Sequence, residues 1–190
     1  MDAIFANVIG IVGWKNSGKT TLVEKLVREL VGRGLRVSTI KHAHHDFDID
    51  HPGKDSYRHR AAGAQEVIAA SAHRWALVHE SRGAPEPSLA ELLAKLALCD
   101  LVVVEGFKHG PHAKIEVRRT GACGPFLAAE DDSVIAVATD DPALAHGHPS
   151  LPLDDAAVIA DFVCGAKHVA SVPVNAGRNT LGLRSCRWNS

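Results

Sequence analysis

The chain has 190 residues, a formal net charge of −1 and 46% hydrophobic residues, a balance that excludes disorder and suits one α/β domain with a real core. Near-neutral charge and 5% aromatic residues argue against a nucleic-acid surface built on a basic field or on base stacking. No apolar run reaches membrane-spanning length, and Met1 to Asn7 lack the basic flank and long apolar core of a signal peptide. Cys99, Cys123, Cys164 and Cys186 form no C-x-x-C pair, so the expectation is a cytoplasmic protein with free thiols.

The first apolar run, Val8-Ile9-Gly10-Ile11-Val12, reads as a buried strand. It enters Gly13-Trp14-Lys15-Asn16-Ser17-Gly18-Lys19-Thr20, which has the G-x-x-x-x-G-K-T spacing of a phosphate-binding loop. Thr21 follows and a helix leaves: Leu22, Leu26 and Leu30 recur on one face, with Val23, Val27 and Val31 beside them. Gly13 and Gly18 permit backbone angles and approaches that a side chain blocks. Successive N–H groups then form an anion nest in front of the helix N-terminus. Lys19 reaches the outer phosphates, and the Thr20 hydroxyl ligates Mg²⁺.

Gly32-Arg33-Gly34 stops the helix, and Leu35 to Ile40 reads as a second parallel strand. The polar connection Lys41 to Gly53 is long for a compact domain, which marks it as functional or mobile. It carries His42, His44 and His45 with Asp46, Asp48 and Asp50, all ligand-type side chains. These lie on one loop without tetrahedral spacing, so a loop that folds over phosphate and Mg²⁺ is favoured over a transition-metal site. Asp46 is the first candidate for a Mg²⁺ contact, ahead of Asp48 and Asp50.

Asp55 to Ala64 has helical character, and Glu66 to Ser71 and Trp75 to Glu80 read as neighbouring strands joined by a tight turn. Ser88 to Leu98 has helical period, with Leu89, Leu92, Leu93 and Leu96 inward. Leu101-Val102-Val103-Val104 is the most apolar strand and should be central. It ends in Glu105-Gly106, a Walker-B-like strand whose carboxylate holds Mg²⁺ through water or orients an attacking water; the competing reading is a strand-end carboxylate in solvent. Lys114 to Arg118 and Val134 to Ala138 supply further strands, and Asp154 or Asp155 caps a last helix running to about Gly165. Asp140, after the late strand, is a candidate acceptor for the N1 and N2 groups of guanine, or else a helix cap. Lys54, Arg58, Lys108, Lys114 and Arg118 are candidate phosphate-binding cations or solvated surface charges, with Lys108 best placed, three residues past Glu105. Residues 1–166 are read as one nucleotide-binding domain and residues 167–190, basic and without acids, as a mobile tail.

The expected fold is a three-layer α/β P-loop fold: a mostly parallel central sheet, helices on both faces and a small β extension. Several stretches together resemble the molybdopterin-guanine dinucleotide biosynthesis adaptor protein B family. They are GWKNSGKTT (Gly13 to Thr21), IKHAHHD (Ile40 to Asp46), and DHPGKDS (Asp50 to Ser56) with Arg58 and Ala62-Gly63-Ala64. RWAL (Arg74 to Leu77) with Glu80, and VEGFKH (Val104 to His109) with Ala113-Lys114-Ile115, complete the match. The resemblance runs from about Ala6 to about Gly165 and leaves the tail uncovered.

The resemblance implies GTP binding with Mg²⁺ and weak GTPase activity. It also implies partnership with the guanylyltransferase that joins GMP to molybdopterin, and a homodimer with strands shared or paired between subunits. Arg74 to Glu80 is the expected pairing edge. Lys19 and Glu105 take the catalytic roles, and Gly13, Gly18, Lys19 and Thr20 inherit phosphate and Mg²⁺ binding. No arginine finger is evident close to the motif, which fits slow hydrolysis. Two other readings share the loop: a small-molecule kinase or ligase, and a nucleotide-driven metallochaperone using His42, His44 and His45. The residues themselves do not separate GTP from ATP.

Overall fold

The computed structural model describes residues 4–43, 48–165 and 171–174. The candidates His44, His45 and Asp46, and all of the tail except residues 171–174, lie outside the described residues. The chain divides into two compact units, one comprising the residues up to His42 together with those from Leu89 onward, the other Ala43–Ser88. The span read as one domain from the sequence thus contains a second, smaller unit.

In the larger unit, β1 (Ile4–Val12), β2 (Val37–Lys41), β5 (Leu101–Glu105), β6 (Lys114–Arg118), β7 (Val134–Thr139) and β8 (Ser150–Pro152) form a parallel sheet in the order β2-β5-β1-β6-β7-β8. A further strand, β9 (Ser171–Val174), runs antiparallel along Ile4–Asn7 of β1, within a segment the sequence suggests is only a tail. The order places β1 between β5 and β6 and puts β5 inside the sheet, between β2 and β1, where it is buried at every position. Such strands need branched apolar side chains on both faces, which explains the Val and Ile residues that dominate residues 8–12 and 101–104.

Helix α1 (Lys19–Gly32) buries Leu22, Leu26 and Leu30 against one face of the sheet, beside Ile9, Ile11, Val103, Ile115 and Val117. Helix α4 (Ala156–Gly165) adds Ile159, Ala160 and Val163 to the same core. Asp155 starts α4, accepting from the amides of Ala157 and Val158 at 3.1 Å each. The opposite face packs Val8, Ile40, Val102 and Val104 on Leu93 of α3 (Leu89–Leu93). Farther along that face, Val12, Val134 and Val137 meet Ala128 and Ala145, which sit in short 3₁₀ turns. Helices on both faces and a parallel sheet give the expected three layers.

Helix α3 is shorter than the sequence suggests. After Leu93 the chain tightens: Lys95 and Leu96 donate to carbonyls three residues back. The leucine period continues through this 3₁₀-type winding, so periodicity alone overstates the helix.

The smaller unit holds α2 (Asp55–Ala61) and an antiparallel hairpin of β3 (Glu66–Ala70) and β4 (Trp75–His79). Its centre is Arg60, which reaches Asp48 at 2.9 Å, Asp50 at 3.4 Å and Glu80 at 2.6 Å. Those contacts hold the guanidinium's pKa above its ordinary value, the Glu80 hydrogen bond foremost. Asp48 and Asp50, the alternative Mg²⁺ candidates, are therefore engaged within this unit as partners of Arg60.

Candidate phosphate-binding site

Strand β1 ends at Val12, and the backbone then turns through angles that demand small residues. Gly13 has φ +148°, and a Cβ there would fall 2.6 Å from the Val117 carbonyl of the neighbouring strand. Gly18, at φ +96°, precedes the first residue of α1, so the loop closes straight into a helix N-terminus. Asn16 also adopts positive φ, and the Ser17 amide donates to the Trp14 carbonyl at 3.2 Å, closing the ring of the loop. Lys15 and Asn16 are exposed at the mouth, and Ser17 is buried. The Ser17 hydroxyl finds no hydrogen-bond partner among the described residues.

The Lys19 ammonium donates to the Trp14 carbonyl at 2.7 Å. Burial lowers its pKa from the ordinary lysine value; the charges of Lys108 and Lys41 act in the same direction, and Glu105 opposes them. The Thr20 hydroxyl donates to Glu105 Oε1 at 2.7 Å. The two residues are 85 positions apart in sequence, and the sheet brings them together because β5 lies beside β1. Parallel register also aligns Lys41, Glu105 and Ile11 across three strands. Lys41 Nζ accordingly lies 3.3 Å from the same Glu105 oxygen. Lys41 is a member of the site that the sequence does not single out, because its partner is a cross-strand neighbour 64 residues away.

Adjacent hydroxyl and carboxylate oxygens at the end of a phosphate loop are the hard donors Mg²⁺ prefers, so Thr20 and Glu105 fit that ion. Among the described residues no three His, Cys, Asp or Glu side chains converge as a metal site.

Asp140 Oδ1 accepts from the amide and hydroxyl of Thr120, at 2.8 and 3.1 Å, tying the loop after β6 to the end of β7. The cap in the Asp-Asp-Pro sequence belongs to Asp141, which accepts from the Ala143 amide at 3.0 Å. Lys114 is no surface phosphate binder: it is fully buried, bonded to the Gly110 carbonyl, the Ser133 hydroxyl and, at 2.9 Å, Asp131. Arg118 lies 3.5 Å from buried Glu116. Lys54 and Arg58 belong to the smaller unit and are both exposed.

A strand entering a glycine-rich anion loop, a Lys-Thr pair opening a helix, and a strand-end carboxylate on that threonine define a P-loop NTPase-like fold. Residues 8–140 match the family model described as molybdopterin guanine dinucleotide synthesis protein B. The chain belongs to that family. A molybdopterin-guanine dinucleotide biosynthesis adapter protein of Escherichia coli is 45% identical over 159 residues, covering 82% of this chain and 90% of the relative. The Haemophilus influenzae protein of the same name is 44% identical over the same length, covering 82% of this chain and 86% of the relative. Solved structures agree. A crystal structure of molybdopterin-guanine biosynthesis protein B superposes with a TM-score of 0.65 at 28% identity, covering 82% of this chain and 95% of that one. The Bacillus subtilis MobB structure gives 0.63 at 28% identity, covering 83% and 95%.

Proposed function

We propose that this chain is a GTP-binding adapter with weak GTPase activity that assists the guanylyltransferase attaching GMP to molybdopterin. The observation that carries the nucleotide part is the Thr20–Glu105 hydrogen bond at the end of the glycine loop. The pathway rests on family membership and on the adapter role in the relatives' names.

In this reading the amides from Gly13 to Thr20 surround the phosphates, with Trp14, Lys15, Asn16 and Ser17 supplying the loop and Thr21 the first helical turn. Lys19 leaves the Trp14 carbonyl for the outer phosphate oxygens. Thr20 and Glu105 would hold Mg²⁺, which would supply positive charge against the phosphates. Hydrolysis forms a bond from a water oxygen to the γ-phosphorus and breaks the β–γ bridge. The electron pair stays on the β-phosphate and the water's proton passes to solvent. Asp140 reads guanine through its second oxygen, since Oδ1 already takes both Thr120 donors.

The homodimer forms through the hairpin of the smaller unit. Ile68, Trp75 and Leu77 share one hairpin face and are 66%, 68% and 37% exposed, more apolar area than an isolated hairpin keeps in water. A cytoplasmic location follows the same reading; among the described residues no helix is long and apolar enough to cross a membrane.

The deciding experiment titrates GTP against ATP in competition, with and without molybdopterin. Preferential displacement by GTP supports the assignment, and equal competition by ATP defeats the guanine part of it.

A further inference from the structure

Trp14 holds two cations at once. Its carbonyl takes the Lys19 ammonium at 2.7 Å, and its indole ring lies beneath the Lys108 ammonium, 3.9 Å from the ring centre. The ring itself is fixed. Its Nε1 donates to the Pro125 carbonyl at 2.8 Å, and Gly124 presses so close that a Cβ there would sit 2.6 Å from indole carbon Cδ2. Lys108 is aimed with equal care. After Glu105, Gly106 takes φ +97° and Phe107, a non-glycine residue, φ +51°. That conformation is costly for an aromatic residue and persists only where its surroundings enforce it. Here the Phe107 ring stacks on His42 with centroids 4.5 Å apart, and a Cβ at Gly106 would fall 2.9 Å from the His42 Cβ. This double left-handed turn leads into the residue three past the Walker-B carboxylate, whose ammonium lies over Trp14 of the phosphate loop.

A lysine on an indole face is a modest attraction, easily exchanged for a phosphate oxygen. We infer that Lys108 is a second phosphate-directed cation, seated on Trp14 and transferred to the outer phosphate when a nucleoside triphosphate binds. This rests on the reading of Gly13 to Thr20 as the nucleotide site. It supplies from within the chain a positive charge that the sequence near the motif does not reveal. Lys19 and Lys108 then leave the same residue together when the loop fills, and Trp14 reports the event.

The test uses the full chain with Trp75→Phe and Trp188→Phe, so that Trp14 is the only indole. GTP and GDP, each with Mg²⁺, are titrated calorimetrically and by Trp14 emission into this parent, Lys108→Ala, Lys108→Arg and Lys19→Ala. The parent should favour the triphosphate and change its emission on binding. Lys108→Ala should lose about tenfold or more in GTP affinity, keep its GDP affinity, and show little emission change, while Lys108→Arg recovers most of the preference. Equal GTP-over-GDP preference and an equal emission change in the parent and Lys108→Ala would overturn the role of Lys108 while leaving the nucleotide site standing. Failure of the parent to bind either nucleotide, or undiminished binding by Lys19→Ala, would instead overturn the nucleotide reading beneath it.

Discussion

Lys19 and Glu105 make separable contributions. Lys19→Ala removes the ammonium that the proposed function assigns to the outer phosphates, so GTP binding should fall below detection in calorimetry; unchanged affinity would remove Lys19 from this role. Glu105→Gln keeps the shape and can still accept from Thr20, but it discards the charge that pairs with Lys41. Turnover should drop by about a hundredfold, the scale seen when one electrostatic contact to a transition state is lost. Nucleotide affinity without Mg²⁺ should hold or rise, because repulsion between carboxylate and phosphate is gone. An affinity loss equal with and without Mg²⁺ would show that Glu105 supports the loop rather than the metal. Lys19, Thr20 and their glycines are legible in the sequence because the loop is local, with every member inside eight consecutive residues. Glu105 is legible because an apolar strand ending in a carboxylate announces itself. Lys41 and the indole seat of Lys108 are not, since both depend on neighbours supplied by strand order and backbone reversal.

Among the elements, α1 is the one whose packing holds the loop in place. Leu26 is fully buried between α1 and the sheet. Leu26→Ala should cost about 3 kcal/mol of unfolding free energy in urea titration, from lost transfer energy and the cavity left behind. Val31→Ala, on the same helix but 53% exposed, should lie within about 0.5 kcal/mol of the parent, as surface substitutions do. A comparable loss at both positions would contradict the assigned face. The apolar faces of α1 and β5 are visible in sequence because burial there is uniform and the period regular. Strand β6 shows the opposite case. Lys114 and Glu116 alternate with Ile115 and Val117 as if facing solvent, yet both are fully buried. Their partners, Asp131 and Ser133 for one and the Ala128 amide for the other, lie in later loops that alternation cannot foresee.

At the scale of the whole molecule, buried charge on that side of the sheet sets the response to acid. The His112 ring is slotted between two glycines: a Cβ at Gly10 would meet Nε2 at 2.6 Å, and one at Gly110 would meet Nδ1 at 2.7 Å. Neither ring nitrogen has a hydrogen-bond partner among the described residues. Burial, reinforced by the Lys114 charge and opposed by Asp131, lowers its pKa from 6.5 to about 4. Below pH 6.5 the unfolded chain therefore takes up a proton that the folded chain refuses. His112's contribution is complete above that pH, is lost as pH falls toward about 4, and changes no further below it. Asp131 acts in a lower window. Burial works upward on it, but Ser133 and Lys114 overcome this and hold its pKa at about 2, against 3.8 ordinarily. Its contribution is present above 3.8 and lost as pH falls toward 2, together with those of Asp48, Asp100 and Asp140, whose pKa values are also lowered. Urea midpoints measured across the acid range should thus decline in two stages. His112→Leu should flatten the upper stage and leave the lower one, and Asp131→Asn should reduce only the lower. A parent whose midpoint is level from neutrality down to the ordinary carboxylate range would mean that the His112 slot admits a proton, and the burial argument for this face would fail with it.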